Sequence, residues 1–274
     1  MQVKLAKNYG FCFGVRRAIK LAESKPNGIT LGPLIHNAKE INRLKERFNV
    51  VVNENIQEIP ANAEVIIRTH GITKEDLQRL KQKTKNITDA TCPFVTKPQE
   101  ICEKMSNEGY AIIIFGDEMH PEVKGVMSYC KTTPLVVENL EALKNAKIPD
   151  KVVLISQTTK NIELFLEIAD FLIRQCSECR VFNTICNATF DNQESARNLA
   201  KEVDIMIIVG GKNSSNTKQL YNISKEYCQD CYLVEDYQEL QKEWFGGKKL
   251  CGVSAGASTP NWIIDKIVQT IQKY

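Results

Sequence analysis

Long hydrophobic runs are missing: no apolar run in the 274 residues reaches the roughly 18 that a membrane-spanning helix needs. No apolar signal region precedes the first polar turn, so we expect a cytoplasmic protein rather than a secreted one. The net charge of +3 is too small to indicate nucleic acid as a partner. No GxxxxGK(S/T) motif is present, which excludes a Walker-type nucleotide site. The composition therefore predicts a globular protein that binds neither membrane nor nucleic acid.

Histidine is also scarce, whereas cysteine is not: the chain has three histidines and ten cysteines. A disulfide framework is a poor interpretation for a chain of this length without a signal sequence. Metal binding or redox chemistry is the better explanation of so many cysteines. The scarcity of histidine makes its positions informative, since His36, His70 and His120 each lie in a polar loop after an apolar segment.

Three cysteines lie in turns that precede a predicted helix, namely Cys12, Cys92 and Cys186. After each of them the same order of strands, polar loops and helices recurs along the chain. The first polar loop follows after 24 residues in the first repeat and after 28 residues in the other two. This agreement indicates three repeats that each bring one cysteine to a common centre. The helices after the cysteines are predicted to begin near Val15, Lys97 and Asn192.

Unbroken apolar strands alternate with helices, which is typical of parallel sheets covered on both faces. The predicted fold class is therefore α/β, with three related units at residues 1–91, 92–184 and 185–274. Ligands of such sheets bind beyond the carboxyl ends of the strands. Because six polar loops are predicted at strand ends, we expect them to surround one pocket together with the three cysteines.

The recurring cysteines could be buried small hydrophobic residues, zinc ligands or ligands of an iron–sulfur cluster. Their matching positions favour a shared ligand. A cluster fits better than zinc, because thiolates are its usual ligands and Cys12 has an apolar, aromatic setting. Three cysteines would leave one iron of a four-iron cluster without a protein ligand, which is an arrangement for catalysis on a bound substrate.

The other cysteines do not recur in the repeats. Cys102, Cys130 and Cys251 are predicted to be small core residues. Two CxxC pairs remain, Cys176–Cys179 and Cys228–Cys231, which together could bind zinc. Cysteines placed by chance at the surface or at an edge are the favoured alternative, because neither pair recurs across the repeats and the two pairs lie near different unit edges.

The six polar loops are rich in hydroxyl, amide and imidazole groups. Such groups at strand-to-helix turns suit phosphate oxygens, although single Ser, Thr and Asn residues there are usually helix N-caps. Glu122, directly after a His-Pro pair, is either a solvated first-turn glutamate or a proton donor facing a dry site. The loop residues of interest are His36, His70, His120, Thr158, Ser214, Ser215, Asn216 and Ser258.

Seven motifs spread over residues 10 to 260 resemble those of one family, and they stand in that family's order. They are GFCFGV, RTHG, ATCP, MHPEV, SQTT, GGKNSSNT and SAGAS. The chain resembles the 4-hydroxy-3-methylbut-2-enyl diphosphate reductases, which catalyse the last step of the non-mevalonate isoprenoid pathway. The resemblance implies three α/β units in a pseudo-threefold arrangement around a central iron–sulfur cluster.

The resemblance also implies the role of each motif residue. Cys12, Cys92 and Cys186 would hold a [4Fe–4S] cluster, whose fourth iron would bind the substrate hydroxyl. Electrons would come from a ferredoxin or flavodoxin, and reductive dehydration would yield isopentenyl and dimethylallyl diphosphate. The implied diphosphate ligands are His36, His70, Ser214, Ser215, Asn216 and Ser258. The implied catalytic residues are His120 as substrate contact and proton relay, Glu122 as proton donor and Thr158 as the residue that orients the hydroxyl.

Two binding functions remain as alternatives, an iron–sulfur redox sensor and a zinc-stabilised binding module. A sensor has no need of six polar loops, and a structural zinc site would use four protein ligands. The two CxxC pairs have no counterpart in the family pattern, and their role stays open at the level of sequence.

Overall fold

A computed structural model describes all residues, 1–274, as twelve strands and ten α-helices. The strands are β1 Gln2–Leu5, β2 Ile29–Leu31, β3 Val51–Asn53, β4 Val65–Ile67, β5 Ile87–Asp89, β6 Ala111–Phe115, β7 Leu135–Val137, β8 Lys151–Ser156, β9 Glu178–Val181, β10 Ile205–Val209, β11 Cys231–Val234 and β12 Leu250–Ala255. The helices are α1 Phe13–Glu23, α2 Ala38–Phe48, α3 Lys74–Lys83, α4 Pro93–Asn107, α5 Pro121–Met127, α6 Leu140–Lys144, α7 Ile162–Gln175, α8 Asn187–Ala200, α9 Ser215–Tyr227 and α10 Asn261–Ile271.

The strands form three four-stranded sheets, and every pairing in them is parallel. Their strand orders are β5-β4-β2-β3, β9-β8-β6-β7 and β1-β12-β10-β11. The three orders are equivalent. In each sheet, the strand that leads into a cysteine turn lies at one edge, namely β5, β9 or β1. The predicted α/β class with three related units is thereby confirmed.

One strand joins a different sheet from the one that its place in the sequence suggests. We predicted the first unit to start with the strand around Val3, but β1 pairs with β12 of the last third, with Val3 opposite Cys251. Its equivalents β5 and β9 come last in their sheets, so the third sheet is completed by the N-terminus of the chain. The boundaries after residues 91 and 184 stay a prediction.

The helices after the second and third cysteines begin earlier than predicted. Helix α4 starts at Pro93, where Cys92 is the N-cap, and α8 starts at Asn187, directly after Cys186. Helix α4 continues through Pro98, which is buried. Proline at the first helical position needs no N–H donor, which makes Pro93 a suitable start. Each cysteine therefore lies at the very entry of its helix.

The chain divides into two compact units. One, here called the terminal unit, comprises residues 1–16, 35–43 and 187–274; the other, the central unit, comprises residues 17–34 and 44–186. The sheet with β1 lies in the terminal unit and the other two lie in the central unit. Inner strands such as β8 and β10 are buried along almost their whole length. No helix is long and apolar enough to cross a bilayer.

Candidate functional site

The three recurring cysteines occupy equivalent positions in their turns. The backbone N–H of Cys12 donates to the carbonyl of Ala257 at 3.2 Å, within the terminal unit. In the central unit, the N–H of Cys92 donates to Thr69 O and that of Cys186 to Thr158 O, both at 3.0 Å. Each acceptor belongs to the polar loop after a central strand of the same sheet, β12, β4 or β8. None of the three cysteines forms a disulfide, and all three are partly exposed.

Local contacts hold these turns in place. Gly10 has φ +71°, and a Cβ there would lie 3.2 Å from the carbonyl of Thr259, so the turn before Cys12 needs glycine. The guanidinium of Arg17 donates to the carbonyls of Asp89 and Thr91 at 3.1 and 3.2 Å, which supports the turn before Cys92. These contacts fix the backbone at the cysteines without using the thiols.

The loop after β10 and the start of α9 form a candidate anion-binding site in the terminal unit. Ser214 is the N-cap of α9, and its hydroxyl accepts from the N–H of Thr217 at 3.3 Å. The cap interpretation of this serine is therefore correct. Asn216 is different, because its side chain is 4% exposed and neither its amide nitrogen nor its amide oxygen has a hydrogen-bond partner. A buried amide without partners is costly unless a ligand satisfies it.

Two further predicted residues of the terminal unit lie against this loop. A Cβ on Gly211 would lie only 2.5 Å from the carbonyl oxygen of His36, so glycine lets the two segments approach. The Ser258 hydroxyl donates to the same carbonyl at 3.3 Å. Lys212, the cation of the loop, instead pairs with Glu239 at 2.9 Å. The structure thus gathers His36, Ser214, Ser215, Asn216 and Ser258 at one end of one sheet, with neutral groups predominating.

The loops after β6 and β8 bring Glu122 and Thr158 together in the central unit. The N–H of Thr158 donates to Glu122 Oε1 at 2.7 Å, and the Thr158 hydroxyl donates to Oε2 at 2.8 Å. His120 is the N-cap of α5, and its Nδ1 accepts from the N–H of Glu122 at 3.2 Å. These bonds fix the carboxyl group, the hydroxyl and the imidazole relative to one another.

The Glu122 carboxyl is 2% exposed, so it is not a solvated first-turn glutamate. Burial raises its pKa above the usual value, while the two hydrogen bonds from Thr158 lower it and offset part of that effect. A carboxyl group with a raised pKa keeps its proton to higher pH, which is the property of a general acid.

The imidazoles of His70 and His120 also meet in the central unit, with ring centroids 5.3 Å apart in an edge-to-face arrangement. Gly125 on α5 lies against the His70 segment, since a Cβ there would make van der Waals contact with the carbonyl of His70 at 3.6 Å. The structure therefore brings His70, His120, Glu122 and Thr158 into one cluster, although β4, which precedes His70, belongs to a different sheet from β6 and β8.

Four buried polar groups in the terminal unit were missed at the level of sequence. They are buried without a hydrogen-bond partner: Gln193 Nε2, Thr217 Oγ1, Ser224 Oγ and Ser254 Oγ. Two of them stand inside the recognised motifs, since Thr217 ends GGKNSSNT and Ser254 begins SAGAS, so the motifs themselves were a usable signal. Thr217 also packs against glycine, because a Cβ on Gly256 would lie 2.2 Å from its hydroxyl oxygen.

The burial of the remaining cysteines differs in part from the prediction. Cys102 and Cys251 are fully buried as expected, but Cys130 is partly exposed. Both CxxC pairs connect the C-cap of a helix to an edge strand, α7 to β9 and α9 to β11. Cys228 and Cys231 are buried and not surface residues. Neither pair belongs to a group of three metal-ligating side chains within 4.8 Å of one another, so the zinc interpretation gains no support.

Comparison with known proteins identifies the family. A profile of the family described as "LytB protein" matches residues 3–272. The 4-hydroxy-3-methylbut-2-enyl diphosphate reductase of Wolinella succinogenes is 65% identical over 274 residues, which cover 100% of this chain and 99% of that protein. The reductase of the same name from Helicobacter pylori strain P12 is 60% identical over 271 residues, covering 99% of each chain.

Two solved structures are also similar. One is described as (E)-4-hydroxy-3-methyl-but-2-enyl diphosphate reductase, the terminal enzyme of the non-mevalonate pathway; it has a TM-score of 0.71 at 44% identity and 100% coverage of both chains. The other is E-1-hydroxy-2-methyl-but-2-enyl-4-diphosphate reductase from Plasmodium falciparum, with a TM-score of 0.92 at 26% identity, covering 98% of this chain and 87% of that one. Profile, relatives and structures agree over the full length, and the chain belongs to the LytB protein family.

Proposed function

We propose that the chain catalyses the reductive dehydration of 4-hydroxy-3-methylbut-2-enyl diphosphate to isopentenyl and dimethylallyl diphosphate. Membership of the LytB family and the names of its full-length relatives support this reaction. The observation that carries the proposal is the buried Glu122 carboxyl, bonded twice to Thr158. Loss of a hydroxyl group as water requires a proton, and this carboxyl is built to retain one.

We propose Cys12, Cys92 and Cys186 as ligands of a [4Fe–4S] cluster. The donor set suits the cluster, because all three are cysteines outside any disulfide at equivalent helix entries and thiolates are its usual ligands. When bound, the cluster supplies the two electrons of the reaction and an iron without a protein ligand. We further propose a ferredoxin or flavodoxin as the protein that delivers the electrons.

We propose that the diphosphate is held mainly by neutral donors. The buried amide of Asn216 without partners supports this role, and so does its place in the first turn of the 13-residue helix α9, whose N-terminus favours anions. The other residues that we assign to the diphosphate are His36, His70, Ser214, Ser215 and Ser258. Because these donors are neutral, they form no ion pair with a neighbouring carboxylate when substrate is absent.

We propose that the proton passes from Glu122 through the Thr158 hydroxyl to the leaving hydroxyl group. The 2.8 Å between Thr158 Oγ1 and Glu122 Oε2 is a hydrogen-bond distance, so Thr158 can accept a proton from the acid while it donates its own. His120 contacts the substrate and holds the start of α5 through its Nδ1. The overall reaction consumes two electrons and two protons and releases the hydroxyl oxygen as water.

The test is Glu122→Gln, which keeps the size of the side chain and removes the acidic proton. We expect turnover to fall by about 10²–10⁴-fold, the usual contribution of a general acid. Iron content and the substrate-induced change in the visible spectrum of the anaerobic protein should persist. Glu118→Gln is the matched control, because Glu118 is an exposed carboxylate of the same loop. Turnover of Glu122→Gln within a few-fold of the control would exclude Glu122 as the proton source.

A further inference from the structure

The central unit contains a pair of cysteines that the proposed reaction does not use. Cys102 lies on α4 and is fully buried, and Cys130 follows the end of α5 and is partly exposed. Cys102 and Cys130 both pack in the cluster of apolar residues between α4, α5 and the sheet, which makes their side chains neighbours. The two residues are 28 positions apart in the sequence, so only the packing of the two helices brings the thiols together.

The backbone around this pair is held independently of the thiols. The N–H of Lys131 donates to the hydroxyl of Ser106 at 3.0 Å, and that hydroxyl donates to the carbonyl of Cys102 at 2.6 Å. The N–H of Cys130 donates to Met127 O at 3.0 Å. The chain after α5 is therefore tied to α4 next to both sulfur atoms, which keeps the two thiols within reach of each other.

The two thiols have unequal chemistry. The hydrogen bond between them raises the pKa of Cys102 and lowers that of Cys130, as expected if the Cys102 thiol donates to the Cys130 sulfur. Burial adds to the effect at Cys102 and opposes it at Cys130. Cys130 is thus the better nucleophile as well as the sulfur nearer to solvent, and Cys102 is placed as the resolving thiol.

We propose that Cys102 and Cys130 are a peroxide-sensitive dithiol that closes to a disulfide and reopens on reduction. The Cys130 thiolate attacks one oxygen of hydrogen peroxide, the O–O bond breaks, and Cys130 becomes a sulfenic acid with release of hydroxide. The Cys102 sulfur then attacks the Cys130 sulfur, the S–O bond breaks, and the proton of Cys102 leaves with the hydroxyl group as water. Each sulfur loses one electron, and the peroxide accepts both.

Other cysteine pairs of this chain differ in geometry. The thiols of Cys228 and Cys231 are directed at backbone carbonyls, to Val203 O at 3.8 Å and to Tyr221 O at 4.0 Å respectively. A disulfide requires the sulfur atoms to approach to about 2 Å with a restricted dihedral angle. A pair whose side chains share one apolar cluster, with the backbone tied beside them, needs less rearrangement than a pair whose thiols point to separate acceptors.

The experiment treats the full-length, anaerobically purified protein with limiting hydrogen peroxide. Free thiols are then alkylated, and the digested protein is analysed by mass spectrometry with and without dithiothreitol. We expect a Cys102–Cys130 crosslinked peptide as the main disulfide, joint loss of both free thiols, and recovery of both on reduction. Cys251 is the internal control, because it is fully buried and should stay reduced.

Variants identify the order of the steps. In Cys102→Ala the sulfenic acid at Cys130 should persist and react with dimedone, whereas Cys130→Ser should leave Cys102 reduced. The parent protein provides a result even if Cys102→Ala does not fold. Oxidation of the parent at other cysteines without the Cys102–Cys130 crosslink would overturn the proposal. Equal dimedone labelling of Cys130 in the parent and in a folded Cys102→Ala variant would overturn it as well.

Discussion

Thr158→Val tests whether the proton reaches the substrate through the threonine hydroxyl. Valine has nearly the same shape, so the packing of the loop after β8 should persist, and the backbone N–H of residue 158 still donates to Glu122 Oε1 at 2.7 Å. Only the bond between the hydroxyl and Oε2, 2.8 Å in the parent, is removed. The substitution therefore separates the hydroxyl from the backbone contribution of the same residue.

The structure sets the expected magnitude. A hydrogen bond to a charged group contributes about 1.5–3 kcal/mol, which corresponds to a loss of about 10- to 150-fold in kcat if the bond is needed in the transition state. The hydroxyl bond lowers the pKa of Glu122 against the larger effect of burial, so its removal raises that pKa further. The protonated acid then persists to higher pH, and the alkaline limb of the pH profile of kcat should move upward.

The same pKa has a consequence for stability. A raised pKa in the folded state means that the folded chain binds the Glu122 proton more tightly than the unfolded chain. The stabilisation from this group is therefore complete below the unfolded pKa and is lost as the pH rises through the folded pKa. In Thr158→Val this loss should extend to higher pH than in the parent, and in Glu122→Gln it should be absent.

The assay is anaerobic steady-state turnover from acidic to alkaline pH, with iron content measured on each preparation. Thr158→Ser is the matched control, because it retains the hydroxyl and should stay within a few-fold of the parent. A Thr158→Val enzyme with parental kcat and an unmoved alkaline limb would refute the role of the hydroxyl. A variant that loses iron together with activity would instead point to the Cys186 turn, since Cys186 donates to the carbonyl of residue 158.

Three further predictions concern the diphosphate and the cysteines. Asn216→Ala should weaken inhibition by inorganic diphosphate by about 1–3 kcal/mol, measured as the inhibition constant, whereas the exposed neighbour variant Asn213→Ala should leave it unchanged. Gly211→Ala places a Cβ 2.5 Å from the carbonyl of His36 and should raise the same inhibition constant; Gly246→Ala, where the nearest atom is 3.5 Å away, is its control. Changing Cys12, Cys92 or Cys186 singly to serine should sharply lower the iron content of the protein. A variant that keeps full iron content and turnover would show that its cysteine is not a ligand. The control variant Cys251→Ser should keep its iron.

Much of this fold could be predicted from local patterns in the sequence. Runs such as Ile112–Phe115 and Ile205–Val209 are apolar without interruption because both faces of the strand are covered. The residues that follow such strands must lie at the carboxyl edge of a parallel sheet, and this rule predicted the position of the polar loops. The positions of the three cysteines followed from the same repeat, and the motifs supplied the family.

The partners that meet across the fold had to come from the tertiary structure. The sequence does not show that Glu122 is buried or that both its oxygens bond to Thr158, because the two residues lie 36 positions apart on different strand ends. The membership of β1 in the last sheet and the contact between Cys102 and Cys130 are of the same kind. Periodicity reports which face of an element is buried, whereas the identity of the residue opposite depends on how whole sheets and helices pack. The sequence alone therefore determined the elements, their order and the chemical groups at their ends, and the packing decided which of those groups bond to one another.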